Sequence, residues 1–266
     1  MKAAKFDHIR PVDVPAAIRA LGSGRAKLLS GGQSLGPMLN LRLARPELLV
    51  DIARLGDLRA VTETADGVRY GAAITHAEIE DGVVADPTGG ILPKVASGIA
   101  YRAVRNRGTI GGSLAHADPA ADWPTTLMAL GASVTIYGPR GDRTIRVDAF
   151  ILGAFETDLA PDEIVANVFV PRVSASAHWG YVKSCRKVGE FAESMCAVLN
   201  DPDRRVCRLV IGATEAKQIV VADARAALAD PASIDARLAT AGLADDPATL
   251  ELHRATIRAA IAEACA

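Results

Sequence analysis

Two hydroxyl-flanked glycine pairs constrain this chain more than any other feature: Ser30-Gly31-Gly32-Gln33-Ser34 and Thr109-Ile110-Gly111-Gly112-Ser113. Adjacent glycines let backbone N–H groups approach a ligand closely, and the flanking hydroxyls add donors, so each turn suits a pyrophosphate. A lone double glycine is equally well a tight turn, but two of like composition, one in each of two units, favour a two-sided cradle. Lys27-Leu28-Leu29 reads as a buried strand entering the first turn. A helical stretch over 38–43 leaves it, and 48–52 is a second strand, which makes a compact α/β unit. Ahead of these, Asp13 as cap, Pro15 in the first turn and Gly22 at the end predict a short helix. Neither turn gives Gly-x-Gly-x-x-Gly, and no Gly-x-x-x-x-Gly-Lys-Ser/Thr loop occurs, so the cradle belongs to neither of those nucleotide folds.

A second unit begins near Leu58. It has a strand over 68–74 and a capping box, Thr75-His76-Ala77-Glu78, which places His76 on the surface of a first helical turn. An amphipathic helix follows over 91–104. A hairpin pairs 133–137 with 143–147, and a strand over 163–170 ends at Pro171. Ser174-Ala175-Ser176-Ala177 reads as a linker. Three β-patterned stretches (180–187, 191–199 and 206–214) come next, then an alanine-rich helical tail broken near Asp230-Pro231 and Asp245-Asp246-Pro247. The expected division is 1–174, with subdomains about 1–56 and 57–174, followed by 178–266.

Composition narrows the function. The 266 residues carry a net charge of −1 with acids and bases interspersed, and aromatics are only 4% of the chain, which excludes nucleic acid as a partner. No apolar run is long enough to be a transmembrane segment and the first residues lack a signal-peptide core, so the expected location is cytoplasmic. Cys185, Cys196, Cys207 and Cys265 and the five histidines show no ligand spacing, so no metal or iron–sulfur cluster is expected on this chain. Asp118 and Asp122 follow the second turn and suit either cofactor hydroxyls or the cap of a helix over 120–130. Arg102, Arg105 and Arg107 crowd the approach, as counter-charge to a cofactor or as solvated surface groups.

Three stretches together resemble the FAD-binding medium subunit of molybdenum hydroxylases, the group that includes carbon monoxide and xanthine dehydrogenases. They are Ser30 through Leu35 with Leu41-Arg42-Leu43-Ala44-Arg45-Pro46 behind it, Val104 through Asp122, and Arg186-Lys187-Val188-Gly189-Glu190-Phe191-Ala192. The resemblance covers nearly the whole chain. It implies an α+β fold: a two-subdomain FAD-binding domain of the PCMH/vanillyl-alcohol-oxidase type, then a small three-stranded sheet with helices. It further implies that Leu28, Leu29, Ser30, Gly31, Gly32, Gln33, Ser34 and Leu35 line the pyrophosphate and adenine side of FAD. Thr109, Ile110, Gly111, Gly112 and Ser113 would close the other side. Ile99 would lie along the cofactor, and Asp122 would take a ribityl or ribose hydroxyl. Lys187, with Lys183 as second choice, would reach the flavin edge, where a cation stabilises the anionic reduced ring.

The implied activity is electron relay. A molybdopterin-binding large subunit would hydroxylate substrate, and a small subunit with two-iron two-sulfur clusters would pass electrons to this FAD, in a dimer of heterotrimers. NAD, a quinone, a cytochrome or oxygen remain open as acceptor. The chain departs from the family pattern at Glu190, where aspartate is usual, and at Tyr101-Arg102, which replaces a His-Pro-type pair. Three other readings compete: a self-sufficient FAD oxidoreductase, a flavin-less assembly subunit, and a serine hydrolase. The last rests on Gly32-Gln33-Ser34-Leu35-Gly36, which matches the Gly-x-Ser-x-Gly elbow, but too few residues precede it for the strands and oxyanion loop of that fold.

Overall fold

The computed structural model describes residues 2–241, 243 and 245–266. The first unit is a three-stranded parallel sheet in the order Asp7–Ile9, Leu48–Asp51, Ala26–Leu29. Parallel neighbours need crossovers. One is the helix Val14–Leu21, where Asp13 caps the Ala16 N–H at 2.7 Å and Pro15 sits in the first turn, as its sequence predicts. This helix lays Val14, Ala17 and Leu21 onto Val50, Ile52 and Leu55. The other crossover begins with the glycine turn and the short helix Leu35–Asn40.

The second unit is a five-stranded antiparallel sheet: Val61–Thr64, Gly67–Gly71, Ile164–Pro171, Ser133–Gly138 and Gly141–Arg146, in spatial order. Its central strand comes from late in the unit and serves two cores. Ile164 and Ala166 join the first unit's core, while Val165, Val168 and Val170 join the second's. Strict alternation would return Val168 to the wrong face. A register shift between Val165 and Asn167 changes the parity and keeps both faces apolar.

The third sheet orders His178–Ser184, Ser194–Asp201, Val206–Gly212 and Ile219–Val221, all antiparallel. The three predicted strands are present, and a short fourth extends the edge. One face takes the helix Pro247–Cys265, which approaches so closely that a side chain on Gly180 would overlap the Ala260 carbonyl. The other face packs Ala197, Leu199 and Val210 against the helix Asp122–Leu130. Every residue of that helix is buried, including Asp122, Thr125 and Thr126, so it has no solvent face and no amphipathic pattern. No helix among the described residues is long and apolar enough to cross a membrane.

Two expectations need correction. The segment 91–104 is not one helix but two, Ile91–Ser97 and Arg102–Arg105. Gly98 ends the first, Ala100 takes φ +45°, and Arg105 donates to the Ile99 and Ala100 carbonyls at 2.9 Å each. Satisfied by a guanidinium, those carbonyls have no need of helical partners. The capping box at Thr75 and Glu78 forms as predicted, but His76 is buried rather than on the surface, only 6% exposed. Trp123, 47 residues on, donates its indole N–H to His76 Nδ1 at 2.9 Å and draws the ring inward.

A cleft walled by all three sheets

A cleft of about 860 Å³ runs between the three units, within the range of cofactor sites. Leu28 and Ser30 through Leu35 line one wall, Ile99, Thr109, Gly111, Gly112, Ser113 and Asp122 the second, and Lys183, Glu190 and Phe191 the third.

The first glycine turn is open to the cleft. Among the described residues, the N–H groups of Gly31, Gly32, Gln33 and Ser34 donate to no protein atom. Gly32 takes φ +70°, and the Gln33 side chain braces the turn by donating to the Gly31 carbonyl at 3.0 Å. Gly31 packs backbone on backbone against Arg107 and Gly108, and the Ser30 and Thr109 hydroxyls lie 3.0 Å apart. The two turns are therefore joined, as a cradle requires.

The second turn works differently from the expectation that both present free amides. Thr109 caps a helix, Ile110–His116, and accepts the Gly112 N–H at 3.1 Å. The Ile110 and Gly111 amides donate backwards to the Ile74 and Ala72 carbonyls, at 3.0 Å each. Gly111 is a packing glycine, since a Cβ there would overlap Ala72. Thr109, Gly112 and Ser113 still border the cleft, whereas the Ile110 side chain is fully buried away from it. Leu29 is likewise outside the lining, half-buried beneath Gly32.

Asp122 is 5% exposed and anchors the junction with the third sheet. Lys183 Nζ donates to its carboxylate at 3.0 and 3.1 Å, and the Tyr181 hydroxyl donates at 2.7 Å. Burial pushes the Asp122 carboxyl above the usual range, opposed by the Lys183 ammonium and the Tyr181 hydroxyl. Asp122 is not the helix cap; it is the first residue inside the helix, and Asp118 accepts the Ala120 N–H one turn earlier. Of the two lysines, Lys183 lines the cleft, while Lys187 is exposed on the loop outside it. Glu190 and Phe191 reach the cleft from that same loop, which meets the second wall through a bridge between Gly189 and Ile99.

The arginines stand outside the cleft, and two of them are held by ion pairs of their own. Arg102 pairs with Asp81, and Arg105 pairs with Glu80 while clamping the Ile99–Ala100 carbonyls. Neither lines the cleft, and neither does Arg107, which is exposed. The cations that do line the cleft are Lys27 and Lys183, alongside the open amides and hydroxyls. The hydrolase elbow also fails: Ser34 has relaxed helical backbone (φ −98°, ψ −50°), without the strain of a nucleophile turn, and among the described residues no histidine bonds its hydroxyl. Sequence reasoning missed the strap from Phe155 to Val165, which closes one end of the cleft and carries no local motif. It also missed His76 and Gly108 on the cleft floor.

Comparison with known proteins gives a consistent result. Residues 4–173 match the family model described as the FAD binding domain in molybdopterin dehydrogenase. The chain is 36% identical over 231 residues to the nicotine 6-hydroxylase medium subunit of Paenarthrobacter nicotinovorans, covering 84% of this chain and 80% of that one. A carbon monoxide dehydrogenase from Hydrogenophaga pseudoflava, in a form lacking the Mo-pyranopterin moiety, superposes with a TM-score of 0.87 at 31% identity, covering 100% of this chain and 99% of that chain. Quinoline 2-oxidoreductase from Pseudomonas putida 86 gives a TM-score of 0.84 at 31% identity, with 99% and 98% covered.

Proposed function

This chain belongs to the family of FAD-binding domains of molybdopterin dehydrogenases, and from that premise we propose that it is the FAD-carrying, electron-relay subunit of a heteromeric molybdenum hydroxylase. The observation that carries the reading is the row of four unpartnered amides, Gly31 through Ser34, in a cleft walled by three sheets. The residues fit the cofactor. A diphosphate needs close donors, and here amides and the Ser34 and Ser113 hydroxyls supply them without a competing carboxylate on the same turn. Bound FAD would accept electrons one at a time and deliver a pair.

The chain's own residues do the holding and orienting. Ser30 and Thr109 keep the two walls in register, and Ile99 offers an apolar flank. Asp122, with lone pairs to spare beyond Lys183 and Tyr181, takes a ribityl or ribose hydroxyl. Lys183 is the cation best placed to reach the flavin from the third sheet, ahead of Lys187. Glu190, where the family commonly has aspartate, brings a carboxylate to the same wall and shifts the flavin potential. Partners are a molybdopterin-binding large subunit and an iron–sulfur small subunit, in a dimer of heterotrimers located in the cytoplasm.

The test is the visible spectrum of the purified chain, alone and co-expressed with its partners. A flavin band that releases FAD on denaturation, and that substrate bleaches only with partners present, is the expected result. Bleaching of the isolated chain would favour a self-sufficient oxidoreductase. A colourless chain that FAD cannot reconstitute, even with partners, would refute the proposal.

A further inference from the structure

His76 borders the cleft and is a titratable side chain that the relay function leaves unused. Trp123 is fully buried, and its indole nitrogen can only donate, so His76 Nδ1 is the acceptor of their 2.9 Å bond. A neutral imidazole with an unprotonated Nδ1 must carry its proton on Nε2. That Nε2–H has no acceptor among the described residues, although the residue is only 6% exposed. It is not sealed in the core either, because His76 borders the cleft beside Gly108 and Thr109. Gly108 separates it from the first glycine turn. A Cβ on Gly108 would lie 2.7 Å from His76 Nε2, and a Cβ on Gly31 would lie 2.8 Å from the Gly108 Cα. The absence of a side chain at 108 leaves Nε2 uncovered on that side, and the imidazole and the unpartnered amides line one cleft with only the Gly108 backbone between His76 and Gly31. Nε2 keeps some exposure rather than being sealed off, so its N–H is a donor available to a ligand oxygen in the cleft.

Resting on the FAD reading above, we propose that His76 is a cofactor-binding residue whose Nε2–H donates to a diphosphate oxygen held by the Gly31 turn. Trp123 is the positioning residue that fixes the tautomer. The donor is neutral, so it adds a hydrogen bond to the anion without adding charge to the cleft.

The test compares the full-length chain with its His76→Leu, His76→Gln and Trp123→Phe variants by FAD titration, with thermal unfolding of each apo-protein as the folding control. His76→Leu should weaken FAD binding about tenfold or more. His76→Gln, whose amide places an N–H at similar reach, should stay within about threefold of wild type. Nitrogen-15 spectra of labelled wild-type protein should show Nε2 protonated and Nδ1 bare, with the Nε2 signal moving when FAD is added. Trp123→Phe should give a mixture of tautomers. A folded His76→Leu chain that binds FAD like wild type, or a wild-type chain protonated on Nδ1, overturns the inference and leaves the relay function standing. Failure of the wild-type chain to bind FAD, alone and with partners, would overturn the function itself and this inference with it.

Discussion

Replacing Gly31 by alanine puts a methyl where the two glycine turns touch. A Cβ built there sits 2.1 Å from the Arg107 carbonyl oxygen, and real Cβ atoms essentially never come within 3.0 Å of a neighbour, so the loops must part by at least 0.9 Å (3.0 − 2.1). Both neighbours are backbone, so no side chain can rotate away. That displacement stretches the 3.0 Å Ser30–Thr109 hydroxyl pair beyond hydrogen-bond range and moves the amide row off its opposing wall. Overpacking of this kind costs about 1–3 kcal/mol, a fall of a few degrees in Tm. Misaligning one amide on a charged oxygen costs a further ~1.5–3 kcal/mol of binding, roughly 10- to 100-fold in Kd. The assay is FAD fluorescence quenching on the stripped chain, beside its thermal unfolding. Gly36→Ala is the internal control: five residues away, with nothing within 4 Å of its Cβ, it lies in a helix where alanine is preferred. A Gly31→Ala protein with the Tm and FAD affinity of Gly36→Ala would refute both the close approach and the role of this turn.

Three further outcomes follow from the geometry. Gly180→Ala should loosen the helix Pro247–Cys265 by about 2 kcal/mol or more, read as early proteolysis of that helix and a lower Tm. Lys183→Met should destabilise by about 3–5 kcal/mol, because it leaves the buried Asp122 carboxylate unpaired. With Lys183 gone, the Asp122 pKa rises further above its unfolded value, so the folded state binds the proton more readily. The deficit is therefore largest at neutral pH and shrinks on acidification, and adding Asp122→Asn should relieve it; urea unfolding at several pH values checks both. His76 has its pKa lowered to about 4, first by burial and then by Arg105, so the unfolded chain takes up its proton first. Its contribution is whole above the unfolded pKa near 6.5 and is lost as pH falls toward 4. By pH 5 that loss is roughly 2 kcal/mol, and His76→Gln should flatten the slope.

What the sequence made legible was what its neighbours decide. Asp13, Thr75 and Glu78 form caps within four residues, and the first glycine turn keeps the open amides its composition suggests. What escaped depends on partners far along the chain. His76 reads as a surface residue until Trp123 supplies a donor 47 positions later. Thr109 through Ser113 looks like a second amide nest until the Ala72 and Ile74 carbonyls claim its N–H groups. Arg105 reads as counter-charge or as a solvated surface group until two carbonyls and Glu80 take four bonds from its guanidinium. Composition gave no hint that Lys183 rather than Lys187 enters the cleft, because both stand in the same β-patterned stretch and only the strand's end at Ser184 separates them.

The central strand Ile164–Pro171, with one face in each of two cores, has a consequence for synthesis. Neither core is complete until that strand leaves the ribosome, although the parallel sheet built from residues 7–51 has been waiting since early in translation. The nascent chain thus holds half-finished apolar faces through more than a hundred residues of elongation, a period when chaperone capture competes with collapse. Truncations ending before Ile164 should behave as sticky, protease-sensitive fragments. Once Pro171 has emerged the first core can close, while the second still awaits Ala197, Leu199 and Val210 from the third sheet.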